Sequence, residues 1–146
     1  MKKVRFKLTP AVYALFVKEN EVLLMRRYNT GYQDGFYGLP AGHLDGNESA
    51  KHAMIREINE EVGVKIKENS LKFALIMHRN CIDYEYIDLF FIVNKWEGNF
   101  VIMEPNKCDE FKWFPINNLP ENTIEYIKDA VKCYLNKQNY CELGWE

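Results

Sequence analysis

Two apolar, β-rich runs open the chain, residues 12–17 (VYALFV) and 22–25 (VLLM). The polar Lys18-Glu19-Asn20-Glu21 between them predicts a β-hairpin. Residues 28–36 (YNTGYQDGF) are rich in turn formers, and the tight Leu39-Pro40-Ala41-Gly42 approach leads on to Asp45-Gly46-Asn47. The period then changes. Ala50, Met54, Ile58 and Val62 recur every four residues and mark the buried stripe of a helix. Asn47 or Ser49 is its N-cap, and Gly63 ends it where a positive φ is wanted. Residues 71–78 (LKFALIMH) and 84–93 (YEYIDLFFIV) read as two further strands joined by a turn at 80–83. After a turn at residues 96–99 comes a last strand at 111–114. A final helix is predicted with Thr123 as its cap and with Ile124, Ile127, Val131, Tyr134 and Leu135 on its apolar face. Residues 138–146 read as a tail in which Trp145 has no evident partner. Strands, helix, strands, helix in that order imply an α/β fold, a mixed sheet between helices in an α/β/α sandwich. No linker, repeat or low-complexity tract divides residues 1–146, so one domain is expected.

The first helix carries the chemistry. Glu57, Glu60 and Glu61 stand at i, i+3 and i+4, so their carboxylates share one face, where like charges repel. Such runs are ordinarily the solvated side of an amphipathic helix. With Glu57 at zero and 100° per residue, the glutamates fall at about 0°, −60° and 40°, while the apolar stripe runs from about 20° to 140°. Acids that border the buried stripe, instead of opposing it, suit a divalent cation at a cleft. Such hard cations take carboxylate oxygens and keep positions open for phosphate.

Gly42, Glu48, Arg56-Glu57-Ile58, Glu60-Glu61 and Gly63-Val64, at the spacing they have here, resemble a Nudix box with each fixed position filled. The resemblance implies the fold already reached. It also implies a hydrolase of a nucleoside diphosphate linked to another moiety, working with Mg²⁺ or Mn²⁺. By position, Glu57, Glu60, Glu61 and the backbone carbonyl of Ala41 would be metal ligands. Arg56 would orient a glutamate, Glu48 would support loop and helix, and Gly42 and Gly63 would shape the motif. The Gly42-His43 pair and the downstream segment Glu104-Pro105-Asn106-Lys107-Cys108 with Trp113 resemble the MutT-like branch, which acts on nucleoside triphosphates, including oxidised ones. Relatives use an acid in this downstream region to hold metal or activate water. Glu104 and Glu110 are the candidates, and Glu110 is favoured because it directly precedes the last strand. The general base falls among Glu60, Glu61 and that acid.

Arg26 and Arg27 end the second run, where a planar guanidinium could reach phosphate, and His43 could meet substrate. His78 and Arg79, at a strand end, read mainly as surface. Glu85 and Asp88 inside the following strand are expected to face the cleft or solvent, because burial penalises an unpaired carboxylate. A net charge of −2 argues against a dedicated nucleic-acid surface but leaves room for a small-molecule nucleotide. The four cysteines lack CxxC spacing, and no apolar run reaches 18 residues, so a cytoplasmic protein, monomer or homodimer, is expected. Alternatives are hydrolysis of another NDP-X (dinucleotide, nucleotide sugar, capped RNA end) or a catalytically silent nucleotide-sensing module.

Overall fold

The computed structural model describes the whole chain, Met1–Glu146. Strands β1 (Thr9–Lys18) and β2 (Glu21–Arg27) form the expected hairpin, with Val17 opposite Val22. Short strands β3 (Tyr37–Gly38) and β4 (Ala41–His43) precede helix α1 (Ala50–Val62). The long hairpin β5 (Leu71–Cys81) and β6 (Tyr84–Val93) follows, then β7 (Cys108–Pro115), α2 (Glu125–Leu135) and β8 (Tyr140–Leu143). The strands lie in the order β3-β2-β1-β6-β5-β8, with β4 pairing to β1 and β7 to β2.

β1 holds this sheet together. It runs parallel to β6 along most of its length, from Thr9 opposite Tyr86 to Phe16 opposite Val93. Its first half also pairs with β4, and its end with β2. Both faces are covered, so residues 11–16 are buried without interruption, which explains an apolar run without polar alternation. Val12, Ala14 and Phe16 pack with Met54, Ile58 and Val62 of α1. Ala11, Tyr13 and Leu15 face Ile127, Ala130 and Val131 of α2. The result is the mixed α/β arrangement expected.

Of the two capping candidates Ser49 is the one that caps α1, its Oγ accepting from the His52 backbone N–H at 3.1 Å, and Gly63 closes the helix at φ 75° as expected. Local details depart from expectation in two places. Thr123 does not cap α2: it is fully buried and donates its hydroxyl to the Pro120 carbonyl at 2.7 Å. The C-terminal segment is not a tail either. Residues 140–143 add a parallel strand to the exposed edge of β5, and Trp145 donates its indole N–H to the His78 carbonyl at 3.1 Å.

Candidate active site

α1 presents its glutamates to a cavity of about 370 Å³ lined by Glu57, Glu60, Glu61, Glu104, Ala41 and Arg27, among others. Four acids therefore meet at one opening. Pairing with β1 brings β4 against this helix, and Gly42 is what lets it approach. A Cβ at Gly42 would fall on the Glu57 carboxyl.

A clamp fixes the first glutamate. Arg56 donates to Glu57 Oε1 at 2.7 Å, to Glu48 at 2.8 and 3.2 Å, and to the His43 carbonyl at 3.2 Å. Glu48 in turn accepts the Asp45 backbone N–H at 2.9 Å, so loop and helix are tied through one guanidinium. Hydrogen bonds from Arg56 hold the Glu48 carboxyl below its ordinary value. Glu61 behaves oppositely. Burial, reinforced by the adjoining Glu57 carboxyl and the charge of Glu104, pushes it from 4.5 up to about 9, and the Ala41 backbone N–H at 3.4 Å offsets this only in part. Glu60 is half-exposed, with Arg56 at 3.7 Å its one ion-pair partner.

This donor set fits a divalent cation. Glutamates that offer hard carboxylate oxygens line one space together with Ala41, and one of the carboxyls is deeply placed and lacks a counter-charge of its own. No three His, Cys, Asp or Glu side chains are closed on a single point, so the donors converge on the cavity without forming a finished shell.

The structure separates the downstream acids. Residues 101 and 103 donate their backbone N–H groups to the Val62 and Glu61 carbonyls at 3.0 and 3.3 Å, filling orphan acceptors at the end of α1. That docking carries Glu104 to the cavity. Glu110, favoured from sequence, is instead drawn across the β2–β7 pairing to Arg26, with Arg26 at 3.0 Å and the Tyr37 hydroxyl at 2.9 Å. The register thus sets Glu110 within β7 opposite Arg26, while Glu104 lines the cavity. Arg26 is likewise engaged by Asp109 at 2.8 Å. Arg27 forms no close ion pair: it donates to the Tyr32 carbonyl at 2.7 Å and the Thr30 hydroxyl at 3.2 Å, and it lines the same cavity as the acids.

His43 does not join the carboxylates. It lines a second cavity, also about 370 Å³, whose walls include Tyr13, Tyr32, Tyr84, Tyr86 and Tyr126, and its Nε2 lies 3.3 Å from the Tyr86 hydroxyl. The two cavities share Arg27 and Ala41. Arg79 lies in the wall of the second cavity and is buried, not at the surface. Asp88 is fully buried, against the expectation that it would face cleft or solvent, because Arg79 Nε at 2.9 Å and the Tyr13 hydroxyl at 3.1 Å satisfy its oxygens. Burial still pushes the Asp88 carboxyl above its ordinary value, with Arg79 pulling the other way. Glu85 pairs with His78 at 2.8 Å. No local signal announces the Arg79–Asp88 pair. An acid in the middle of an apolar strand with an arginine across the hairpin is the only hint.

No helix is long and apolar enough to cross a membrane. Comparison with known proteins gives a NUDIX domain match over residues 7–134. The chain is 31% identical over 141 residues to an ADP-ribose pyrophosphatase of Methanocaldococcus jannaschii, covering 95% of this chain and 81% of that one. It is 28% identical over 134 residues to an 8-oxo-dGTP diphosphatase of Buchnera aphidicola, covering 86% and 95%. It also matches an NAD-capped RNA hydrolase of Pseudomonas putida at 25% identity, of whose length it spans only 39%. Among solved structures, a MutT NUDIX hydrolase from Burkholderia pseudomallei superposes with a TM-score of 0.78 at 21% identity, over 86% of this chain and 97% of that one, a likeness of fold. Fold, box and family match agree, and the chain belongs to the NUDIX family.

Proposed function

We propose that this Nudix pyrophosphohydrolase hydrolyses a nucleoside triphosphate, including an oxidised or modified one, to nucleoside monophosphate and pyrophosphate. The observation that carries the reading is the convergence of Glu57, Glu60, Glu61 and Glu104 on one cavity that Arg27 also lines, with an aromatic cavity adjoining. Likeness to an 8-oxo-dGTP diphosphatase over 95% of that protein's length supports it.

Glu57, Glu60, Glu61 and the Ala41 carbonyl would hold Mg²⁺ or Mn²⁺, with Glu104 completing the set. Such a cation supplies charge neutralisation for the diphosphate and lowers the pKa of the attacking water. The chain's own residues do the rest. Arg56, locked by Glu48, keeps Glu57 from swinging out. Arg27 draws a phosphate oxygen toward the acids by charge-assisted hydrogen bonds. Glu60, the least constrained of the helix carboxylates, accepts the proton of the attacking water. The water oxygen bonds to phosphorus, the phosphoanhydride bond breaks, and pyrophosphate leaves.

A second reading follows from the 31% identity to an ADP-ribose pyrophosphatase. In that reading the same acids cleave a nucleoside diphosphate joined to a sugar. Incubation with Mg²⁺ and a panel of nucleoside triphosphates and ADP-ribose separates the two: pyrophosphate release supports the first, AMP with ribose phosphate the second. Nucleotide binding without turnover in either metal would point to a silent module.

A further inference from the structure

The cavity lined by tyrosines has no part in the chemistry just described, and its makeup is selective. Of the side chains on its walls, none is acidic, while Arg27, Arg79 and the tyrosine hydroxyls offer hydrogen-bond donors. Arg79 is the unusual member. Its side chain is only 10% exposed, and its guanidinium lies between the rings of Tyr126 and Tyr86, 3.7 and 4.4 Å from their centroids. Those faces are therefore used. Its Nε is used as well, by Asp88 at 2.9 Å. The two terminal nitrogens are only weakly used: one donates to Cys81 Sγ, a weak acceptor, at 3.6 Å, and the other reaches the Tyr13 hydroxyl at 3.4 Å, longer than a good N–H···O bond. A buried, charged, planar fork with weakly filled donors is thus held in the wall of a tyrosine-rich cavity.

We infer that Arg79 is a specificity-determining residue that reads the base of the substrate, and that it selects a purine bearing an oxo group at C6. The C6 oxygen accepts from the terminal nitrogens, joined by N7 in an unoxidised guanine or hypoxanthine. Adenine at the same place would set its amino hydrogens against those of the guanidinium. Asp88, which could have accepted an amino group, is fully buried behind Arg79 and occupied. Tyr32 and Tyr84, each about half-exposed, offer rings on which the base stacks. The inference rests on the reading that the polyphosphate lies among the acids, since Arg27 and Ala41 join the two cavities.

The test is nucleoside monophosphate binding by calorimetry in EDTA, which needs neither metal nor turnover. Wild-type protein is expected to bind GMP and IMP at least about tenfold more tightly than AMP, the scale of one good fork contact. Arg79→Lys keeps the charge but not the fork, and is expected to bring the three within about threefold of each other while leaving AMP nearly unchanged. Tyr84→Leu is expected to weaken all three in parallel. AMP binding as tightly as GMP in the wild type would overturn the assignment without reference to any variant. So would an Arg79→Lys protein that loses affinity for all three equally, the mark of a structural role. Tight GMP binding without Mg²⁺-dependent pyrophosphate release would refute the triphosphate reading and leave the base assignment standing. Triphosphate turnover with no base preference would do the reverse.

Discussion

Replacing Glu61 with glutamine should make the metal-free protein more stable and the enzyme worse. Its carboxyl lies deep beside Glu57, so ionising it in the folded state is unfavourable, and its pKa moves from 4.5 up to about 9. The sign follows from proton counting. Between those two values the folded protein keeps a proton that the unfolded chain has released, so stability falls as pH rises. From pH 4.5 to 7.5 the loss is on the order of 3–4 kcal/mol, at about 1.4 kcal/mol per pH unit. Glutamine mimics the protonated acid: its oxygen still accepts from the Ala41 N–H and its amide can donate to Glu57. Urea unfolding in EDTA at pH 5, 6, 7 and 8 should show Glu61→Gln gaining on wild type with each step, and the two nearly matched at pH 5. Adding Mg²⁺ should stabilise wild type increasingly toward high pH, because the cation displaces that proton, and should stabilise the variant much less. A wild-type-minus-variant difference that stays flat across this range would refute the account of Glu61 as a buried acid waiting for a cation.

Other outcomes follow from the same geometry. Gly42→Ala drives a methyl into Glu57 and should lower kcat by roughly 10²-fold with an unchanged circular dichroism spectrum, since small displacements of a catalytic group carry large penalties. Glu60→Gln should reduce turnover by about 10²-fold or more, and near-normal kcat would remove it as proton acceptor. Glu104→Gln should lower kcat at least about tenfold and raise the Mg²⁺ needed for half-activity, whereas Glu110→Gln should leave both nearly unchanged. The opposite ranking would restore Glu110 to that role. Trp145→Ala should lower stability by about 1–2 kcal/mol, read from urea midpoints, through loss of its hydrogen bond to the His78 carbonyl and its contact with the His78 ring 4.7 Å away.

Much of this protein was legible in one dimension because the responsible interactions are local. The stripe of Met54, Ile58 and Val62 and the Glu57–Glu60–Glu61 face depend only on helical spacing, and the first hairpin depends on residues within ten positions of its turn. The Arg56 clamp is local too, reaching back eight residues to Glu48. What required the tertiary structure involves partners far apart in sequence. Glu104 reaches the acids because a loop satisfies carbonyls at the end of α1, and Glu110 misses them because β7 registers it opposite Arg26. Tyr13 meets Asp88 across 75 residues, and Trp145 meets His78 across 67. Local propensity decides where the chain coils or extends and which residues share a face. Which faces then meet is decided by burial and by the satisfaction of buried polar groups, and neither is fixed until the whole chain has closed.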